Sequence, residues 1–246
     1  MRTLVFLLGL MVLSPTSDID TDSRLAPVEQ IDQNDATVSG TIVLPAIQKA
    51  SNNRFRGRTY RNRTSGDSST DESSNSSSNF SDVIISAHPI SFTVETTPLE
   101  EPAQVIQKDA VFIPRVTAVT VGSTVQFVND DPFFHNVFSL TPGARFNIGR
   151  RPKGDVYSKV VPELNWRVEG IGPISIYCDI HSQMNAIVLS LDTPYFTRAN
   201  DDGTFQLDNL PPGEYEIRAY HPRFSLLIQE ITVSVSESKS IVLEFS

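Results

Sequence analysis

Beyond residue 81 the chain offers only strand-length segments, and this limits the fold more than any other feature. D-V-I-I-S-A-H, I-S-F-T-V-E-T, V-T-A-V-T-V, T-V-Q-F-V-N, I-S-I-Y-C and A-I-V-L-S-L are short and rich in β-branched residues. Pro, Gly, Asn and Asp separate them. No stretch sustains apolar residues at i, i+3, i+4 and i+7, so alternating strand–helix units are excluded. The tail continues the pattern. G-T-F-Q-L (203–207) and E-Y-E-I-R-A-Y (214–220) flank a D-N-L-P-P-G turn, and L-L-I-Q-E-I-T-V-S-V and S-I-V-L-E-F follow. Upstream, T-V-S-G-T-I-V-L (37–44) is one more strand signal. The expected class is all-β, built as antiparallel sandwiches or barrels.

Three segments stand apart. Residues 1–17 begin with Arg2 and continue into the apolar run Leu4 to Leu13, the layout of a secretory signal peptide. Ten residues of helix rise about 15 Å, half a hydrocarbon core, so a permanent membrane span is not expected. The mature chain is expected to be periplasmic or secreted. Residues 18–36 are polar and acidic, a flexible arm. Residues 51–81 open with Arg54, Arg56, Arg58, Arg61 and Arg63 and run into Ser-rich sequence, too poor in apolar side chains to order itself. The remaining length suffices for one large domain or two small ones. A net charge of -9 argues against nucleic acid as a partner. That acidity is uneven. Residues 104–191 hold 8 basic and 7 acidic residues, whereas residues 192–246 hold 4 and 9.

Chemistry concentrates in C-D-I-H-S-Q-M. Cys178 is the only cysteine, so internal disulfides and cysteine-ligated clusters are excluded. Met184 is the only methionine beyond the leader, and His181 stands between the two. A further imidazole, His135, lies upstream in N-D-D-P-F-F-H-N-V, at a turn between strands. Two imidazoles, one thiolate and a weak axial thioether form the ligand field of a blue-copper electron-transfer centre. Soft sulfur suits Cu(I), and imidazole accepts both oxidation states. Phe133, Phe134, Phe138 and Tyr177 are expected to form an apolar shell that keeps water away. Four side chains leave no open coordination position, so no enzymatic activity is expected. Zinc would use the Cys and His but not the Met. A catalytic Cys–His pair would need an orienting Asn or Asp that the sequence does not display. A buried structural Cys, with His181 hydrogen-bonded and Met184 filling core, is the remaining alternative.

Residues 104–191 resemble the cupredoxins, the plastocyanin, amicyanin and pseudoazurin group. The resemblance rests on V-F-I-P (111–114), V-G-S-T-V-Q-F-V-N (121–129), F-H-N-V (134–137), G-P-I-S-I-Y-C-D-I-H-S-Q-M (172–184) and A-I-V-L (186–189). It implies a Greek-key sandwich with one copper ion on His135, Cys178, His181 and Met184. It also implies that Asn136 ties the two ligand loops together from behind. The Cys-x-x-His-x-x-Met spacing is similar to the short ligand loop of amicyanin. Ile180 replaces the Pro that often precedes the second His, and a Gly often found near the Met is absent. The implied function is one-electron transfer with a redox protein partner such as a c-type cytochrome, a dehydrogenase or an oxidase. D-D-G-T-F-Q-L-D-N-L-P-P-G-E-Y-E-I-R-A-Y (201–220) resembles the carboxypeptidase regulatory-like, transthyretin-like sandwich modules, whose opening V-x-G-x-V strand is matched by V-S-G-T-I (38–42). On this view the strands before residue 96 complete the module of residues 192–246, with the copper module inserted between. The combination is similar to exported bacterial proteins described as methylamine-utilisation or plastocyanin-like. A copper carrier or sensor, or a carbohydrate-binding surface protein with a degenerate site, are the other functions this sequence admits.

His88 and His221 are expected to be surface or satisfied core residues, and Trp166 core. Arg145, Arg150, Arg151 and Lys153 are placed in a loop that steers an acidic partner or is merely solvated. Asn62, Asn75 and Asn79 begin glycosylation triplets within the Ser-rich segment. The copper assignment demands that His135 lie within about 6 Å of the Cys178 sulfur, since each bond to a shared ion is roughly 2.0–2.3 Å.

Overall fold

The structure is a computed structural model, and it describes residues 35–45 and 80–246. The leader and nearly all of the arm and the Ser-rich segment lie outside these residues. The segment's last two residues do not: Phe80–Asp82 form a 3-10 turn, where Asp82 is buried and pairs with Arg115 at 3.0 Å. The arm likewise ends a residue early, because β1 spans Ala36–Val43. Among the described residues no helix is long and apolar enough to cross a membrane.

Among the described residues the protein is all-β and forms two β-sandwiches. The first sandwich has one sheet of β4 (Val111–Ile113), β3 (Ala103–Lys108), β6 (Thr124–Asn129) and β9 (Val156–Val160), in that order. Its facing sheet runs β5 (Val116–Thr120), β11 (Asn185–Leu191), β10 (Ile171–Tyr177), β7 (His135–Ser139) and β8 (Phe146–Arg151). The pairs β3–β6 and β5–β11 are parallel and the rest antiparallel. Val105, Phe127, Val137, Ile148, Ile174, Ile176 and Val188 fill the space between the sheets.

The second sandwich draws on both ends of the chain. β1 lies between β13 (Thr204–Leu210) and β16 (Ser238–Glu244), antiparallel to the first and parallel to the second. The other sheet runs β12 (Phe196–Arg198), β2 (Ile84–Pro89), β14 (Gly213–Tyr220) and β15 (Leu227–Val233). Gly40 of the V-S-G-T-I strand is obligatory for a visible reason. A Cβ there would stand 2.2 Å from the Ile241 carbonyl oxygen and 2.8 Å from the Phe205 ring.

A third apolar cluster joins the sandwiches. Ile84 and Tyr220 of the second meet Val116, Ile171, Leu189 and Leu191 of the first. This seam explains why β11 is apolar on both faces rather than alternating, and why β2 is buried on both. In β11, Ala186 and Val188 face the inner core while Leu189 and Leu191 face the seam. In β2, Ile85 and Ala87 face the second sandwich's core and Ile84 faces the seam.

Two local expectations are corrected. I-S-F-T-V-E-T forms no ladder and is an extended connector after Pro89, anchored by the Phe92 ring on Tyr215 at 5.6 Å. R-F-N-I-G-R-R-P-K-G is not a loop but β8 and the turn into β9. Its partner β7 supplies the ladder, and Ile148 supplies the buried residue.

Candidate metal centre

The site sits at one end of the first sandwich, where β6 hands over to β7 and β10 to β11. Asn129 closes β6 and is wholly buried. Its Nδ2 donates to the carbonyls of Phe133 and Arg151, both at 2.9 Å, and its Oδ1 accepts from the Asp131 amide at 2.9 Å. One amide side chain thus fixes the 130–134 loop and delivers His135 as the first residue of β7. On the other side β10 runs straight into Cys178. The following turn is closed by the Met184 amide donating to the His181 carbonyl at 3.0 Å.

Three donor atoms converge. His135 Nδ1 lies 3.9 Å from Cys178 Sγ, His181 Nδ1 lies 3.9 Å from the same sulfur, and the two nitrogens are 3.1 Å apart. The point equidistant from these corners is about 2.1 Å from each, inside the roughly 2.0–2.3 Å of metal–nitrogen and metal–sulfur bonds. Among the described residues this is the group of His, Cys, Asp and Glu side chains arranged to hold a metal. His135 and Cys178 are buried, whereas His181 is half-buried. Met184 is fully buried in the same cluster as Cys178. The donor set of two imidazoles and a thiolate, with a buried methionine in the same apolar cluster as the cysteine, fits copper by its chemistry. A thiol-dependent enzyme would need an accessible sulfur, and Cys178 is only 4% exposed.

One expected support takes a different form. Phe133, Phe134 and Tyr177 are 41%, 55% and 39% exposed, so they form a rim rather than a sealed shell. Phe133 does stack beside both imidazoles, 5.1 Å from His135 and 5.3 Å from His181. Phe138 sits against Tyr177, with ring centroids 5.7 Å apart. Backbone geometry explains the exposure: the rim residues lie on loops and strand ends, where no second layer covers them. Asn136 is buried in β7, and its Oδ1 has no hydrogen-bond partner among the described residues.

Sequence reasoning missed Asp131. Its buried carboxylate accepts from His135 Nε2 at 2.6 Å, and from the amides of Asp109 and Ala110 at 2.7 and 3.0 Å. Burial pushes its carboxyl up, yet the hydrogen bonds from Ala110, His135 and Asp109 outweigh it and hold the group below the ordinary carboxylate range. The four-residue spacing in D-P-F-F-H was the available signal. Around the exposed edge of His181, Phe133, Phe134, Ile180 and Arg150 line an open cleft of about 430 Å³. Arg151 instead turns away to Asp155 at 3.3 Å.

The remaining histidines and the tryptophan lie elsewhere. His88 and His221 are buried in the second sandwich. Trp166 is half-exposed at the seam, its ring edge-on to Tyr220 at 6.0 Å and covered by Arg167.

Residues 173–244 match a family model described as the second beta-sandwich domain of NOMO1-like subunits of the BOS complex. No curated protein matches. Among solved structures, a copper-containing nitrite reductase from Thermus scotoductus SA-01 is similar at 24% identity and a TM-score of 0.34. That match covers 43% of this chain and only 26% of the reductase. A purple cupredoxin from Nitrosopumilus maritimus is similar at 25% identity and a TM-score of 0.29, over 36% of this chain and 98% of the cupredoxin. A reduced amicyanin variant is similar at 20% identity and a TM-score of 0.32, over 43% of this chain and 98% of its own.

Proposed function

We propose that the protein is an exported carrier of single electrons, working through one copper ion of type 1 character held by His135, Cys178, His181 and Met184. The observation that carries this reading is the donor triangle of 3.1, 3.9 and 3.9 Å around a point at bonding distance from all three atoms. Bound copper would supply the Cu(II)/Cu(I) couple. The chain's own residues do the rest. The loops are pinned by Asn129 on one side and by the Met184–His181 backbone bond on the other, so the donors keep their places whichever charge state they face. That rigidity keeps reorganisation small, which electron transfer needs. Cys178 and Met184 are buried, which keeps water and substrate away from the two sulfurs. His181 brings its ring edge to the surface inside an apolar rim, which makes it the port to a redox protein such as a cytochrome, dehydrogenase or oxidase.

The test is optical. Cu(II) added to the full-length protein is expected to give an intense visible band from the Cys178 thiolate, and Cys178→Ser is expected to abolish it. A wild-type protein that stays colourless with stoichiometric Cu(II) sinks the assignment.

A further inference from the structure

The β3–β4 hairpin turns over Asp109 and Ala110, both in the left-handed region with φ of 53° and 55°. A two-residue hairpin of type I′ needs positive φ at both central positions, which Asn-Gly or Asp-Gly usually provides. Here the second residue is alanine, which, unlike glycine, adopts that conformation only against its own sterics. What the turn achieves is visible across the interface between strands. Its two successive amides form an anion-binding concavity, and the buried carboxylate of Asp131 fills it, one oxygen on each amide. The oxygen bonded to Ala110 also accepts from His135 Nε2 at 2.6 Å. The Asp131 side chain is 4% exposed and that of His135 0%, so no water competes for these bonds.

We propose that Asp131 is a positioning residue of the metal centre, held in place by the β3–β4 turn. Its carboxylate keeps the proton of His135 on Nε2. The lone pair of Nδ1 is thereby left facing Cys178 and His181, before any ion arrives. The full negative charge also makes the imidazole a stronger donor, which favours the more highly charged oxidation state of a bound metal. The electrochemical part rests on the copper reading above, whereas the tautomer part does not.

Two measurements on the full-length chain test this separately. In the metal-free wild type, ring-nitrogen NMR of His135 is expected to show Nε2 protonated and Nδ1 bare. A predominantly Nδ1-protonated ring, or the mixture of an exposed imidazole, overturns the positioning claim whatever the protein does with copper. In the copper-loaded protein, Asp131→Asn retains an acceptor but loses the charge. It is expected to keep the visible band while shifting the balance toward Cu(I) by about tenfold, or about 59 mV upward in reduction potential. Cu(II) affinity is expected to fall by about 10-fold or more. An unchanged potential and affinity in Asp131→Asn overturns the electronic role. Asp131→Glu is expected to restore much of the wild-type potential, which a purely structural role for the side chain would not produce. If the wild type takes up no copper, the function proposed above fails, and the NMR result still decides the claim for Asp131.

Discussion

Two imidazoles lie buried in this molecule with an aspartate on one ring nitrogen, and they differ in what the other nitrogen meets. His135 gives Nε2 to Asp131 at 2.6 Å and turns Nδ1 toward a second imidazole and a thiol. His88, in β2, has Nδ1 against Asp192 at 2.9 Å and Nε2 against the Ser86 hydroxyl at 2.9 Å. Burial first, and then the nearby Arg218 charge, hold the His88 pKa down against the pull of Asp192. The line-up of Ser86, His88 and Asp192 has the order of a nucleophile, base and orienter. Yet Ser86 is 1% exposed, inside a strand flanked by β12 and β14, where no substrate reaches it. Both nitrogens of His88 are consumed by the protein itself. Arg218 continues that network to the Glu169 carbonyl at 2.6 Å, so His88 ties the sandwiches together at the seam. A carboxylate on a buried histidine therefore does not mark a site. The unspent nitrogen does.

The largest expected contrast comes from removing each ring in turn. His135→Ala is expected to lower Cu(II) affinity by more than ~100-fold, beyond the range for outlying supports of a metal ligand. His88→Ala is expected to leave copper binding and its spectrum unchanged while costing about 2–4 kcal/mol of stability, because Ser86, Asp192 and Arg218 lose a buried partner. Copper titrations and urea melts of both variants distinguish the roles. A His88→Ala protein whose copper spectrum shifts like that of His135→Ala would show that the two imidazoles are not separate in function.

The seam offers a second way to sharpen the contrast. Leu189 is fully buried there among Ile84, Val116 and Tyr220. Leu189→Ala is expected to destabilise by about 2–5 kcal/mol, as cavity-forming core changes do, with the copper spectrum intact. The check is a denaturant melt followed by both intrinsic fluorescence and the visible band. A loss under about 1 kcal/mol would mean that the sandwiches merely touch, and His88 would then be a local rather than a connecting residue.

How much of this was legible in the sequence depends on the range of the interaction. Strand periodicity and turn residues report local geometry, so the all-β class and most strands could be read directly. The Cys178–His181–Met184 triplet was legible because its members are close in sequence. His135 was legible only as a candidate, by residue type and its place in a turn between strands, since nothing local ties it to a sulfur 43 residues downstream. Asp131 was missed because its other partners, Asp109 and Ala110, come from a hairpin whose alanine gives no turn signal. I-S-F-T-V-E-T misled because β propensity records a liking for extended backbone, not the presence of a neighbour. The A-I-V-L run of β11 was legible as a strand, but only the docked second sandwich explains why both of its faces are apolar.

A third buried imidazole completes the contrast and carries the smallest expected effect. Among the described residues, no carboxylate is bonded to the His221 ring. It stacks on Phe224 at 4.6 Å, and Nδ1 accepts the Arg223 amide at 3.1 Å. Burial, only partly offset by the charge of Asp82, pushes its pKa down to about 4. Between about pH 6.5 and pH 4 the unfolded chain therefore binds a proton there that the folded chain refuses. Stability tied to this ring is complete above about 6.5 and is lost progressively as pH falls toward 4. His221→Phe keeps the aromatic stack and removes the titration, so its stability curve is expected to flatten across that window by on the order of 2 kcal/mol. Urea melts of both proteins at pH 7, 5.5 and 4 measure it. His88, also held low by burial, contributes a slope of the same sign that the variant keeps, so the curve should flatten without becoming level. A variant curve parallel to the wild type would mean that His221 titrates normally in the folded state and that its burial by aromatic neighbours is not what sets its charge.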